Sequence, residues 1–149
     1  MSGVPLHYGD LRAFCYATED DRRVERALRT LLPEEFSVDR AESEGYHGDR
    51  ILVLSARVDN ADDLRVVLSA LARLPDDQFR RLREQLDERV TEDCELYVSL
   101  DKQAAYQGSV RLGEGLTLRA KVEAYPAKKD SAVANARDLL EEYAERRRG

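Results

Sequence analysis

The hydrophobic pattern of the chain follows two different periods. Residues 94–101 and 116–125 alternate apolar and polar side chains, which is typical of a strand with one buried face. Residues 24–32 and 64–71 repeat apolar side chains at i, i+3, i+4 and i+7, which is typical of a helix with one buried face. The chain is therefore predicted to combine strands with amphipathic helices.

Turn and cap signals divide the pattern into ten elements. Thr18 and Asn60 are candidate N-caps of the first two helices, and Pro33 ends the first of them. The predicted strands cover residues 6–16, 36–46, 50–58, 94–101, 109–112 and 116–125, and the predicted helices begin near residues 18, 60, 76 and 131. The order β-α-β-β-α-α-β-β-β-α, rich in hairpins, predicts an α+β fold of two layers. Its sheet is mainly antiparallel, with helices on one face and the other face partly open to water.

Composition supports one such domain over residues 1–149. A hydrophobic content of 42% with 36% charged residues is typical of a soluble globular protein. No apolar run approaches the roughly 18 residues that span a bilayer, and the first residues lack the features of a signal peptide, so we expect a cytoplasmic protein without membrane contact. Cys15 and Cys94 are far apart and are expected to be reduced core residues, and the two histidines are too few to predict a zinc site.

Charge is distributed unevenly along the chain. The net charge is −6, and 20 of the 24 cations are arginines. Residues 1–60 hold 8 basic and 12 acidic side chains, whereas residues 95–130 hold 6 and 5. Acidity, few lysines and no tryptophan suit a salt-rich cytoplasm, although a genome rich in arginine codons is an alternative.

The final predicted hairpin offers candidate chemistry. If residues 113–115 form its loop, alternation places Arg111, Arg119 and Lys121 on the open face, with Tyr97 nearby. Guanidinium groups pair with phosphates and aromatic rings stack on unpaired bases, so this pattern favours nucleic-acid binding. A solvated sheet face that carries cations for solubility is the alternative.

Two further polar groups lie next to this hairpin. Lys102, Gln103 and Tyr106 occupy the predicted loop that leads into it. Lys128 and Lys129 precede the last helix, where cations are unfavourable unless an anion binds at the helix N-terminus. Solvated surface loops are the alternative at both places.

Several ordered stretches carry a family resemblance. "LRAFCYATED", "RAESEGYHGDRILVL", "LDKQAAYQGSVRL" and "LRAKVEAYPAKK" together resemble a family of small archaeal proteins described as a predicted RNA-binding domain and at times as an exosome subunit. The chain is most similar to halophilic members. The resemblance implies a fold like that of the ribosomal protein that holds 5S RNA in the large subunit. The positions that match the family pattern are Arg40, His47, Arg50, Lys102, Gln103, Gly108, Lys121, Lys128 and Lys129.

These observations lead to the hypothesis of a non-catalytic RNA-binding module without cofactor or metal. Its expected partner is structured or looped RNA, components of the exosome or ribosome are candidate partners, and a homodimer is compatible with the sequence. A protein-interaction subunit that docks through the open face, or through the apolar seam of Phe79, Leu82 and Leu86, is the alternative. A metal-dependent nuclease is a weaker one because no nucleophile–base pair or carboxylate cluster is evident. The candidate RNA-binding residues are Arg40, His47, Arg50, Tyr97, Lys102, Gln103, Tyr106, Arg111, Arg119, Lys121, Lys128 and Lys129.

Overall fold

Five antiparallel strands form one sheet, and helices cover one of its faces. The computed structural model describes residues 4–45 and 48–148. The strands are β1 (Leu6–Tyr16), β2 (Asp39–Glu44), β3 (Arg50–Val58), β4 (Glu95–Asp101) and β5 (Gly115–Val122). The helices are α1 (Asp21–Arg29), α2 (Ala61–Leu71), α3 (Asp76–Glu84), α4 (Leu86–Arg89), α5 (Lys102–Tyr106) and α6 (Lys129–Arg148).

The strand order is β2-β3-β1-β5-β4, so β1 lies in the middle of the sheet. Along β1 the side chains of Leu11, Ala13 and Cys15 are buried beneath the helices, while Arg12 and Phe14 face the other way. The predicted two-layer α+β class with helices on one face is therefore confirmed. Cys15 and Cys94 are both buried and unpaired, as expected for reduced core residues.

The local sequence of helix α1 explains its buried face and its first residue. Val24, Ala27 and Leu28 form the buried stripe of α1, as their spacing predicts. The cap of α1 is Asp20 and not the predicted Thr18, because the Asp20 carboxylate accepts a hydrogen bond from the Arg22 amide at 3.0 Å.

The predicted hairpin around residues 113–115 is wrong. Asp101 caps the short helix α5, since its carboxylate accepts bonds from the amides of Gln103 at 2.9 Å and Ala104 at 3.2 Å. Residues 107–114 then form no strand and pair with β4 through a bridge between Leu100 and Leu112. Strand β5 instead pairs with β1 and β4.

Gly115 allows this close junction between α5 and β5. Its φ of +106° is unfavourable for other residues, and a Cβ atom there would lie 2.7 Å from the Cβ of Lys102.

The predicted third helix is divided into α3 and α4. Phe79 is 3% exposed, and Leu82 and Leu86 are fully buried, so the proposed docking seam on this helix is wrong. Within residues 4–45 and 48–148, no helix combines the length and apolar character that a membrane span needs.

Candidate nucleic-acid interface

The sheet surface opposite the helices, which we call the open face, carries the side chains of alternate strand positions. The strand register aligns Arg57, Asp10, Arg119 and Tyr97 in one row across β3, β1, β5 and β4. The next rows contain Ser55, Arg12 and Thr117, and then Val53 and Phe14. Ile51 and Tyr16 follow in the row beyond.

Arg119 lies on the open face as predicted, but carboxylates neutralise it. Its Nη2 donates to Oδ2 of Asp10 at 2.5 Å, and its Nε lies 3.5 Å from Oε2 of Glu95. Asp10 also accepts two bonds from Arg57, at 2.8 and 2.9 Å. The Arg57 guanidinium stacks on the Tyr8 ring at 3.9 Å, and the Tyr8 hydroxyl donates to Glu95. Two arginines and two acids thus form a charge-balanced ladder.

Asp10 is the centre of this ladder. Burial acts to raise the pKa of its carboxyl group, but hydrogen bonds from Arg57 and Arg119 outweigh burial and hold the pKa below its ordinary value. The hydrogen bond to Asp10 raises the pKa of Arg119, and a second bond to Tyr97 acts in the same direction. Asp10 and Arg119 therefore stay ionised at neutral pH.

The expected trio of free cations on the open face does not form. Lys121 is on this face, but its ammonium donates to the backbone oxygen of Asp93 at 2.5 Å. Arg111 is exposed on the irregular segment before β5 and lines a cleft with Arg73, away from the ladder. The placement of Arg111 was wrong because it depended on a strand at residues 109–112 that does not form.

Lys102 lies in helix α5 and not in the predicted loop, and its side chain is largely buried. Its side chain is only 11% exposed, and its ammonium donates to the Phe14 carbonyl at 2.9 Å and to Glu19 at 2.8 Å. Burial acts to raise the pKa of Glu19, but the hydrogen bond from Lys102 lowers it below its ordinary value. Lys102 therefore ties α5 to the end of β1, whereas Gln103 beside it is exposed.

The other predicted cations are dispersed. Arg40 binds Asp21 and Glu25 of α1, each at 2.7 Å, and Arg50 binds Glu42 at 2.6 Å, so acids of this chain already occupy both guanidinium groups. Lys128 is exposed, and Lys129 begins α6 and is half-buried. The predicted contact at His47 lies outside the described residues.

Two aromatic side chains on β1 were missed as site residues. Phe14 is 43% exposed and Tyr16 is 50% exposed, although both belong to the middle strand of the sheet. Ile51 and Val53 lie opposite them on β3 and are only half-buried. Phe14, Tyr16, Ile51 and Val53 form an apolar strip on the open face, which we call the aromatic strip.

Arg12 is an exposed cation on the same face as the aromatic strip. It lies on β1, two positions from Phe14, and no acid within the described ranges pairs with it. Tyr97, at the far side of the sheet on β4, is 38% exposed and is the predicted aromatic residue that does lie on the open face.

Among the residues that the structure describes, no group of three or more His, Cys, Asp or Glu side chains could hold a metal ion. What the open face presents is a balanced ladder, exposed rings and one unpaired guanidinium. Flat π-faces and guanidinium groups can stack on bases and contact phosphates.

The chain is similar to known proteins over most of its length. A family model described as "RNA binding" matches residues 9–123, a range that includes most of β1 and all of β5. The protein named RNA-binding protein PAB1135 of Pyrococcus abyssi is 39% identical over 151 aligned residues, covering 95% of this chain and 98% of that protein.

Solved structures share the fold. A Methanothermobacter thermautotrophicus protein is 38% identical with a TM-score of 0.75, covering 91% of this chain and 98% of its own. An Archaeoglobus fulgidus protein is 26% identical with a TM-score of 0.81, and the match covers 90% of this chain and 99% of that protein. Because the family model spans more than half of the sequence and the Pyrococcus relative aligns over nearly all of it, this chain belongs to the RNA-binding family.

Proposed function

We propose that this protein is a non-catalytic RNA-binding module that takes structured or looped RNA on its open face. Unpaired bases stack on Phe14 and Tyr16, and Arg12 contacts the adjoining backbone. Tyr97 extends the platform toward β4. The name of the Pyrococcus relative supports RNA as the class of ligand.

The aromatic strip is the observation that carries this proposal. Exposed fractions of 43% and 50% leave apolar ring surface in water at the middle of a sheet. With about 200 Å² per aromatic side chain, roughly 190 Å² of the two rings is available for burial, which corresponds to about 4–5 kcal/mol. This upper bound agrees with the roughly 1–3 kcal/mol per stacked base found by alanine substitution.

The charge balance of the open face determines the expected salt response. Because Asp10 and Glu95 neutralise Arg57 and Arg119, few free cations remain to release counterions from RNA. Stacking does not depend on counterions, so affinity should fall only shallowly as salt rises. Duplex nucleic acid hides its bases and should bind more weakly than a loop.

A binding titration tests the proposal. A fluorescent hairpin RNA with an unpaired loop is titrated with the wild type and with the double variant F14A/Y16A, and anisotropy reports binding. Loss of two stacked bases corresponds to about 2–6 kcal/mol, so affinity should fall at least about 30-fold. V66A removes exposed apolar surface from α2 and is the matched control, expected to bind as the wild type does. Equal affinities for wild type and F14A/Y16A would show that the strip does not stack on RNA.

We further propose an accessory role in the cytoplasm, either in RNA processing as part of an exosome or at the ribosome. The same aromatic strip would also suit a protein-interaction subunit, including a homodimer, because exposed apolar surface favours either partner. Light scattering with and without nuclease separates these functions. A complex that persists after nuclease treatment and is lost in F14A/Y16A would favour the protein partner.

A further inference from the structure

Two arginines of α1 are held against an aromatic ring of α5. The Arg23 guanidinium lies 4.5 Å from the centre of the Tyr106 ring, and that of Arg26 lies 5.4 Å from it. Thr30, one turn further along, donates to the Ala105 carbonyl at 2.7 Å and fixes the two helices together. The spacing of these α1 positions, i, i+3 and i+7, turns all three side chains toward α5.

The acids of α1 are occupied on the other side of the helix. Arg40 binds Asp21 and Glu25, and Arg29 binds Glu25 as well. Arg23 and Arg26 are exposed, and across residues 4–45 and 48–148 neither has a carboxylate partner. Cations without counter-charge are thus segregated on the side of α1 that faces α5.

A cleft of about 160 Å³ opens beside this pair and includes Arg23, Tyr106 and Gln103 in its walls. Two acids also line it, but Glu19 already accepts from Lys102, and Asp20 caps α1. A guanidinium stacked on a ring keeps its N–H donors free in its own plane, which suits bidentate bonds to phosphate oxygens. The ring also restricts the two side chains, so less conformational entropy is lost when they bind.

We propose that Arg23 and Arg26, positioned by Tyr106, bind the phosphate backbone of the RNA strand, one phosphate for each guanidinium. This site, the arginine clamp, rests on the proposed function and extends it beyond the open face. Lys102 links the two surfaces, because its ammonium lies 5.4 Å from the Tyr16 ring and its side chain also lines the cleft. The RNA strand therefore leaves the aromatic strip at the end of β1 and passes over the clamp.

Salt dependence distinguishes the clamp from the strip. Each phosphate contact with single-stranded RNA contributes about −0.7 to the slope of log K against log salt concentration. R23Q/R26Q should therefore reduce the slope by about 1.4 and weaken binding about 25-fold at 0.1 M salt. F14A/Y16A should instead weaken binding by a similar factor at every salt concentration and leave the slope unchanged.

Matched variants complete the experiment. R80Q/R81Q removes the same charge from exposed positions on α3 and should keep the wild-type slope. Y106F keeps the ring and should bind as the wild type does, whereas Y106A should weaken binding although no charge is lost. If R23Q/R26Q matches R80Q/R81Q while the wild type binds RNA, the clamp is refuted and the proposed function stands. If the wild type binds no RNA even at low salt, the proposed function itself fails.

Discussion

Replacing Asp10 by asparagine should move stability and RNA affinity in opposite directions. The carboxylate accepts three hydrogen bonds from Arg57 and Arg119 and is 22% exposed. Asparagine removes the charge and turns an amide toward guanidinium groups that need acceptors. Hydrogen bonds to charged groups contribute about 1.5–3 kcal/mol each when buried, and exposure of Arg57 reduces this, so we expect D10N to lose about 2 kcal/mol of unfolding free energy.

The same change leaves Arg57 without its carboxylate, whereas Arg119 keeps Glu95. If Arg57 then contacts a phosphate, the salt slope becomes steeper by about 0.7 and affinity at 0.1 M salt rises about 5-fold. The matched control is D62N, because Asp62 is 93% exposed on α2 and its loss frees Arg65 on the helical side of the molecule. D62N changes the net charge equally and should alter neither stability nor slope appreciably.

Urea unfolding followed by circular dichroism measures the first effect, and anisotropy titrations from 0.05 to 1 M salt measure the second. The pKa of Asp10 is lowered in the folded state, so its stabilisation is present above the unfolded pKa of about 3.9 and is lost as pH falls through the folded pKa. The stability difference between wild type and D10N should therefore shrink below about pH 4. A folded D10N protein with unchanged RNA affinity and slope would refute the placement of the ladder beside the RNA.

Two further changes test the packing around the site. K102A should lower the unfolding free energy by about 2–4 kcal/mol in urea titrations, because it leaves the Phe14 carbonyl and Glu19 without their buried donor, and an unchanged midpoint would contradict this role. G9A should raise the melting temperature, corresponding to about 0.5–1 kcal/mol, because a Cβ on Gly9 meets Leu64 at an ordinary 3.4 Å beside a small apolar cavity. G9V should overpack the space beside Leu64 and lower the melting temperature. Equal shifts of the melting temperature in G9A and G9V would contradict this account of the space around Gly9.

Alternation predicted the faces of the strands well. Leu116, Leu118 and Ala120 are buried and Arg119 faces outward, as the period of two requires. The pairing of β5 with both β1 and β4 could not be predicted in the same way, because alternation shows which face of a strand is buried but not which strands lie beside it. The capping bonds of Asp101 begin a helix where a loop was predicted. The strand predicted at residues 109–112 does not form, so Arg111 does not lie on the open face.

The candidate site was harder to predict than the fold. Alternation in "LRAFCY" places Phe14 and Tyr16 on one face of the strand and Leu11 and Cys15 on the other face. The sequence therefore contained a signal for the aromatic strip. It was missed because aromatic residues in a strand are usually core residues. The pairing of Arg119 with Asp10 depends on a register between strands 109 residues apart in sequence, which no local pattern encodes.

Photocrosslinking tests the central claim most directly, because it reports which residues touch RNA. A hairpin RNA that carries a photoreactive uridine in its loop is irradiated with the protein, digested with trypsin and analysed by mass spectrometry. Trypsin cuts after Arg12 and Arg22, so residues 13–22 form one peptide that contains both rings of the aromatic strip. We expect the main crosslinks on Phe14 or Tyr16 within this peptide. Crosslinks confined to peptides of α2, α3 or α6, on the helical side of the molecule, would contradict RNA binding by the open face.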